Sequence, residues 1–105
     1  AIHEFFITYY GVLPESMGGS EKKARYHFAR AVEISRGTKA GPYVSLATSI
    51  SVKNQDSKEF TALLNKALEV DIEKRPESRL VNIISQRKAQ WFLDNKDNKF
   101  LTDSD

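Results

Sequence analysis

Apolar residues return every three or four positions along most of this chain, and nowhere is a two-residue alternation sustained, so the expected fold class is all-α. In the opening segment Ile2, Phe5, Phe6, Tyr9 and Leu13 line one helix face. A second helix is expected from Ser20, whose hydroxyl suits an N-cap, with Glu21 at the positive end of the dipole. Ala24, His27, Phe28, Ala31 and Ser35 share its face, and Gly37 follows as a left-handed stop. Pro42 fits the first position of a third helix, whose apolar stripe is Tyr43, Leu46, Ala47 and Ile50. Asp56, three residues ahead of Glu59, starts a fourth helix carrying Phe60, Leu63, Leu64 and Ala67, which ends at Asp71 and EKRPE. Pro76 opens a fifth over RLVNIISQRKAQWFL, and DNKDN closes it. Phe6, Phe28, Leu46, Leu64, Ile84 and Trp91 are expected to share one core.

Three stretches depart from simple amphipathic patterning. LPESMGGSEKKA, Leu13 to Ala24, is long for a turn between helices and holds a proline and the only adjacent glycines. Pro14 ends helix one, Gly18 and Gly19 allow positive backbone torsions, and Glu15 and Ser16 are expected to cap or hydrogen-bond within the loop. Met17 is left with no core position; it either plugs the groove beside helix one or offers an apolar contact to a second protein. Opposite the stripe of helix three lie Ser45, Thr48, Ser49 and Val52, a face of small groups with no charge before Lys53. Solvated helix faces usually carry Lys and Glu, so this one is expected to be covered. It is either a central helix packed on both sides or the wall of a concave surface or channel open to a partner or solute. On helix five, Leu80, Ile84 and Trp91 share one face, with Asn82, Gln86, Ala89 and Leu93 nearly opposite. Buried amides must find hydrogen bonds, so Asn82 and Gln86 are expected to form a polar seam holding neighbouring backbone.

An internal echo supports pairing of the helices into antiparallel hairpins. FARAVEIS laid over LNKALEVD aligns Phe28 with Leu64 and Ala31 with Ala67, a period of 36 (67 minus 31), close to the roughly 34 of tetratricopeptide repeats. Ala24, Phe28 and Ala31 fit that repeat's small-aromatic-small signature, while Phe60 stands where Ala24 does in the first copy. The expectation is a degenerate tetratricopeptide-like array of helical hairpins.

Charge and chemistry narrow the function classes. With 16 Lys and Arg against 14 Asp and Glu, the formal net charge is +2, spread along the chain instead of gathered into a stripe, which argues against nucleic-acid binding. The absence of cysteine excludes disulfides and thiolate metal sites within these residues and leaves the compartment open. No apolar run is long enough to span a bilayer. His3 and His27 stand far apart in sequence without metal-ligand spacing, and His27 is expected as a core or interface histidine with one hydrogen-bond partner. GGSEKK has its glycines, lysine and hydroxyl in the wrong order for a P-loop, and no GxSxG is present. No catalytic residue, cofactor or metal ligand is assigned, and an enzyme is not expected. The chain opens without methionine and without a capping residue, so residues 1–105 are expected to be one helical domain cut from a longer protein, with TDSD as a loose tail.

LPESMGG, then ARYHFARAVEISRG, then GPYVSLA, then RLVNIISQRKAQWFL, in this order from about Tyr9 to Phe100, resemble the T-component (TatT) family of tripartite ATP-independent periplasmic (TRAP) transporters. The resemblance implies a non-catalytic, exported and usually lipid-anchored protein of tetratricopeptide-like hairpins. It also implies a homo-oligomeric ring and docking of the transporter's periplasmic solute-binding protein, with solute relay as a further role. Any lipid anchor would lie upstream of Ala1. The alternative reading is a generic tetratricopeptide adaptor that grips peptides in a concave groove. The partner or solute-facing candidates under either reading are Glu15, Ser16, Met17, Gly18, Gly19, Ser45, Thr48, Ser49 and Val52.

Overall fold

The computed structural model describes residues 2–100; Ala1 and the TDSD tail lie outside them. Five helices follow in order: α1 (Ile2–Val12), α2 (Glu21–Ser35), α3 (Gly41–Leu46), α4 (Ser57–Glu69) and α5 (Arg79–Asp94). Short 3-10 turns stand at Glu15–Met17, Pro76–Ser78 and Lys96–Asn98, and no strand occurs among the described residues. The helix starts follow local chemistry. The Ser20 hydroxyl accepts from the Lys23 N–H at 3.1 Å, and the Asp56 carboxylate accepts from the Glu59 N–H at 2.9 Å. Glu59 does not reach back to complete a capping box, because its carboxylate is engaged by Arg25 and Ser51. Arg36 and Gly37 both take positive φ, 55° and 70°, to end α2. Pro76 opens only a 3-10 turn, and the α-helix proper begins three residues later.

α3 runs directly into a π-helical turn (Ala47–Ser51), in which the Val52 N–H reaches back to the Ala47 carbonyl. The Thr48 hydroxyl donates to the Val44 carbonyl at 2.9 Å and the Ser49 hydroxyl to that of Ser45 at 2.6 Å. These hydroxyls occupy carbonyls that backbone amides would otherwise claim, which favours the widened turn.

α3 is the centre of the molecule: α1 and α2 pack against one side of it, α4 and α5 against another. The interior accordingly forms two clusters instead of the one expected. Ala40, Val44, Ala47, Phe60, Leu64, Ala67, Val70 and Ala89 make the first, and Ile7, Ala24, Leu46 and Ile50 the second, with Phe28 half-buried against it.

Two helices turn a different face inward from the one their apolar stripes suggested. In α1 the buried residues are Ile7 and Gly11, while Ile2, Phe5, Tyr9 and Val12 face out and Phe6 is half-buried. The cause is close approach: a Cβ on Gly11 would lie 2.7 Å from the Ser49 hydroxyl, so this glycine sets the contact line with α3. In α5, Asn82, Ser85 and Ala89 are buried, and Ile84 and Trp91, both expected in the core, are exposed, as is Leu80. The amides of α5 are required inside by hydrogen bonds described below.

Candidate interaction surface

The loop between α1 and α2 is built from backbone bonds. The Pro14 carbonyl accepts from both Met17 and Gly19 N–H groups at 2.9 Å, Glu15 C=O accepts from Gly18 N–H at 3.1 Å, and Ser20 N–H donates to Tyr10 C=O at 2.9 Å. The Lys53 ammonium adds a bond to the Leu13 carbonyl at 3.0 Å, tying the loop to the end of the α3 segment. Gly18 has φ 99°, a left-handed conformation that favours glycine. Gly19 does not take the positive torsion expected of it; there a Cβ would lie 1.8 Å from the Leu13 carbonyl oxygen, so the requirement is for space. Glu15 and Ser16 are exposed and their side chains make no cap, contrary to expectation, because the backbone amides they would have served are taken by Pro14 and Glu15 carbonyls. Met17 stands 67% exposed at the tip.

The outer face of α1 leads into this loop. Ile2, Phe5, Tyr9 and Val12 recur along it, with Phe5 62% and Tyr9 44% exposed and their rings stacked at a centroid distance of 6.0 Å. Burial of aromatic area is worth roughly 25 cal/mol per Å², so a stacked, water-facing ridge of this kind carries free energy that a partner can recover. Beside it runs a shallow depression lined by Glu4, Phe5, Thr8, Tyr9 and Ser45.

The face of α3 is divided between interior and surface. Ser49 is buried, its hydroxyl held by Ser45 C=O and its side chain pressed on Gly11. Val52 packs half-buried on the first core cluster, and Thr48 is half-buried with its hydroxyl on Val44 C=O. Ser45 alone of the four lines the depression beside the α1 ridge.

Asn82 and Gln86 stand apart from that surface and join three segments of backbone. The Asn82 side-chain oxygen accepts from Ala40 N–H at 2.9 Å and its amide donates to Thr38 C=O at 2.9 Å, closing the α2–α3 connection. The Gln86 amide donates to the carbonyls of Ala67 (3.1 Å), Leu68 (3.3 Å) and Val70 (2.9 Å), at the end of α4.

Two polar clusters were not anticipated as such. Arg25 donates from its two terminal guanidinium nitrogens to Glu59, at 2.8 and 3.1 Å, and from Nε to Glu21 at 2.9 Å, while Ser51 donates to Glu59 at 2.8 Å. The Arg25 bonds hold the Glu59 and Glu21 carboxyls below the ordinary 4.5, and Glu59 in turn raises the Arg25 guanidinium. Only the Glu21–Arg25 spacing of four was visible in the sequence; the bond to Glu59 joins residues 34 apart. His3 and His27, separated by 24 positions, meet with their Nδ1 atoms 2.8 Å apart, so one imidazole donates and the other accepts. Tyr10 stacks on His27 at 5.7 Å. Desolvation, with the nearby His3, pushes the His27 pKa down. Among the described residues no three His or acidic side chains converge as a metal ion would need.

Residues 1–100 match the family model described as TRAP transporter T-component. A protein of Treponema pallidum (strain Nichols), described only as uncharacterized, is 26% identical over 101 residues, which cover 96% of this chain and 31% of that protein. The chain thus spans about a third of the length of this relative. No helix among the described residues is long and apolar enough to cross a membrane.

Proposed function

The chain belongs to the T-component family of TRAP transporters, and from that premise we propose that it acts without catalysis, as a periplasmic accessory unit that docks the transporter's solute-binding protein. The observation that carries this reading is the exposed ridge Ile2, Phe5, Tyr9 and Val12, leading to a backbone-braced loop that presents Met17. A braced loop and stacked rings lose little freedom on binding, which is what a specific protein contact requires. Ser45 and the depression beside Phe5 and Tyr9 would receive partner side chains. Homo-oligomerisation, an upstream lipid anchor and solute relay are parts of the same proposal that rest on the family alone.

We further propose that the helices pair as tetratricopeptide-like hairpins. In support, Ala24 and Phe60 are both fully buried, and Phe28, Ala31, Leu64 and Ala67 all turn toward the interior at matching positions of α2 and α4. The test of function is co-purification with the solute-binding protein of the same transporter. Phe5→Ser with Tyr9→Ser, and Met17→Ser separately, should leave the thermal midpoint unchanged and weaken capture, by about tenfold or more for the double variant. Undiminished capture by the double variant, or capture of short extended peptides in place of the solute-binding protein, would overturn the reading in favour of a general adaptor.

A further inference from the structure

Between α1, α2 and the segments leading into α3 and α5 lies a hollow of about 200 Å³. Ala31, Ile34 and Pro42 line it with apolar surface, and Glu4, Lys39 and Arg75 line it with charge. These charges have opposite signs and do not neutralise one another. Among the described residues no ion pair or hydrogen bond engages the side chain of Glu4 or Lys39, and Arg75 reaches only Glu77, at 3.8 Å. The Glu4 carboxylate lies against Gly41, where a Cβ would stand 2.5 Å from one of its oxygens.

Small-ligand sites combine an apolar lining with a few polar groups that fix orientation, commonly in about 300–1,000 Å³. This hollow lies below that range, so its ligand must be small. An acid alone would leave Glu4 unmatched and facing a like charge. An amine alone would leave Lys39 and Arg75 unmatched. We propose that the hollow binds a free amino acid with a short branched apolar side chain. Its ammonium meets Glu4, its carboxylate meets Lys39 and Arg75, and its side chain lies on Ala31, Ile34 and Pro42. Arg75 offers paired donors for a carboxylate and Lys39 a point charge, and both bonds are charge-assisted. Glu4 also borders the depression beside the docking ridge, but the titration below reads amino-acid binding alone, so its failure would leave the docking reading untouched.

The experiment is an NMR titration of the 105-residue chain with three probes of matched shape: L-leucine, 4-methylpentanoate (no ammonium) and 3-methylbutylamine (no carboxylate). Leucine should shift the amide signals of Ile34, Lys39 and Arg75 saturably, with each truncated probe at least about fivefold weaker. Glu4→Gln should abolish the preference for leucine over 4-methylpentanoate, and Lys39→Gln with Arg75→Gln the preference over the amine. Glu4→Asp and Lys39→Arg keep the charges and should retain binding, which keeps the test readable if a neutral variant folds poorly. Equal affinity for the three probes, no saturable shift up to about 50 mM, or an unchanged preference in Glu4→Gln would overturn the proposal.

Discussion

α4 and α5 lie side by side, and each carries a clear apolar stripe, yet only one of them buries it. In α4 the stripe Phe60, Leu64 and Ala67 is fully buried. In α5 the stripe Leu80, Ile84 and Trp91 faces out, and Asn82, which a polarity count would place in water, is 1% exposed. The difference lies in what each helix is asked to complete. α4 fills space between α3 and α5. α5 must also satisfy the N–H of Ala40 and the carbonyls of Thr38, Ala67, Leu68 and Val70. A buried backbone group left unbonded costs about 1–3 kcal/mol, comparable per group to the roughly 1.5–3 kcal/mol of burying one large apolar side chain, so these bonds offset much of what α5 forgoes by turning its stripe outward.

The largest loss of stability is expected at Phe60, which is fully buried. Phe60→Ala should destabilise by about 3–5 kcal/mol in denaturant unfolding, as truncation of a fully buried aromatic does. Asn82→Ala strands one N–H and one carbonyl, and a loss of about 2–4 kcal/mol is expected; a loss under about 0.5 kcal/mol would show that the facing of α5 has another cause. Arg25→Gln removes bonds that are partly solvated and screened, so about 1–2 kcal/mol is expected at neutral pH. The sign of its pH dependence follows from the lowered carboxyls of Glu59 and Glu21. Their contribution is fully present above the ordinary value of 4.5 and disappears as pH falls through the depressed folded value, so acid should erase the gap between wild type and variant. Trp91→Ala should change stability least, by under about 1 kcal/mol, because its ring is mostly in water.

Local signals in the sequence were legible because local bonds answer them. Ser20, Asp56 and Gly37 act within three to five residues of themselves, and the structure places each at a helix end. Facing was legible in α2, α3 and α4, whose apolar stripes turn inward, and not in α1 or α5. The outward turn of Ile84 and Trp91 is decided by Asn82 bonds spanning 42 and 44 positions. The outward turn of Phe5 and Tyr9 is decided by Gly11 against Ser49. Neither partner can be inferred from a stripe. Of the candidate surface, the shape of the loop was readable from Pro14 and Gly18, and the exposure of Met17 agrees with its lack of a core position. The aromatic ridge was not, since Phe5 and Tyr9 belong to the same apolar stripe as Phe6, which the pattern points inward. The meeting of His3 with His27 gave no signal at all, because it depends on how α1 lies along α2.

The π turn of the α3 segment works as a phase gauge. A residue added to a helical turn advances everything after it by about 100°, and one removed sets it back by the same amount. What lies downstream is Lys53, whose ammonium reaches Leu13 and adds one bond to a loop otherwise braced by its own backbone. Removing one residue between Pro42 and Lys53 would turn Lys53 by about 100° away from the Leu13 carbonyl and take that brace from the loop.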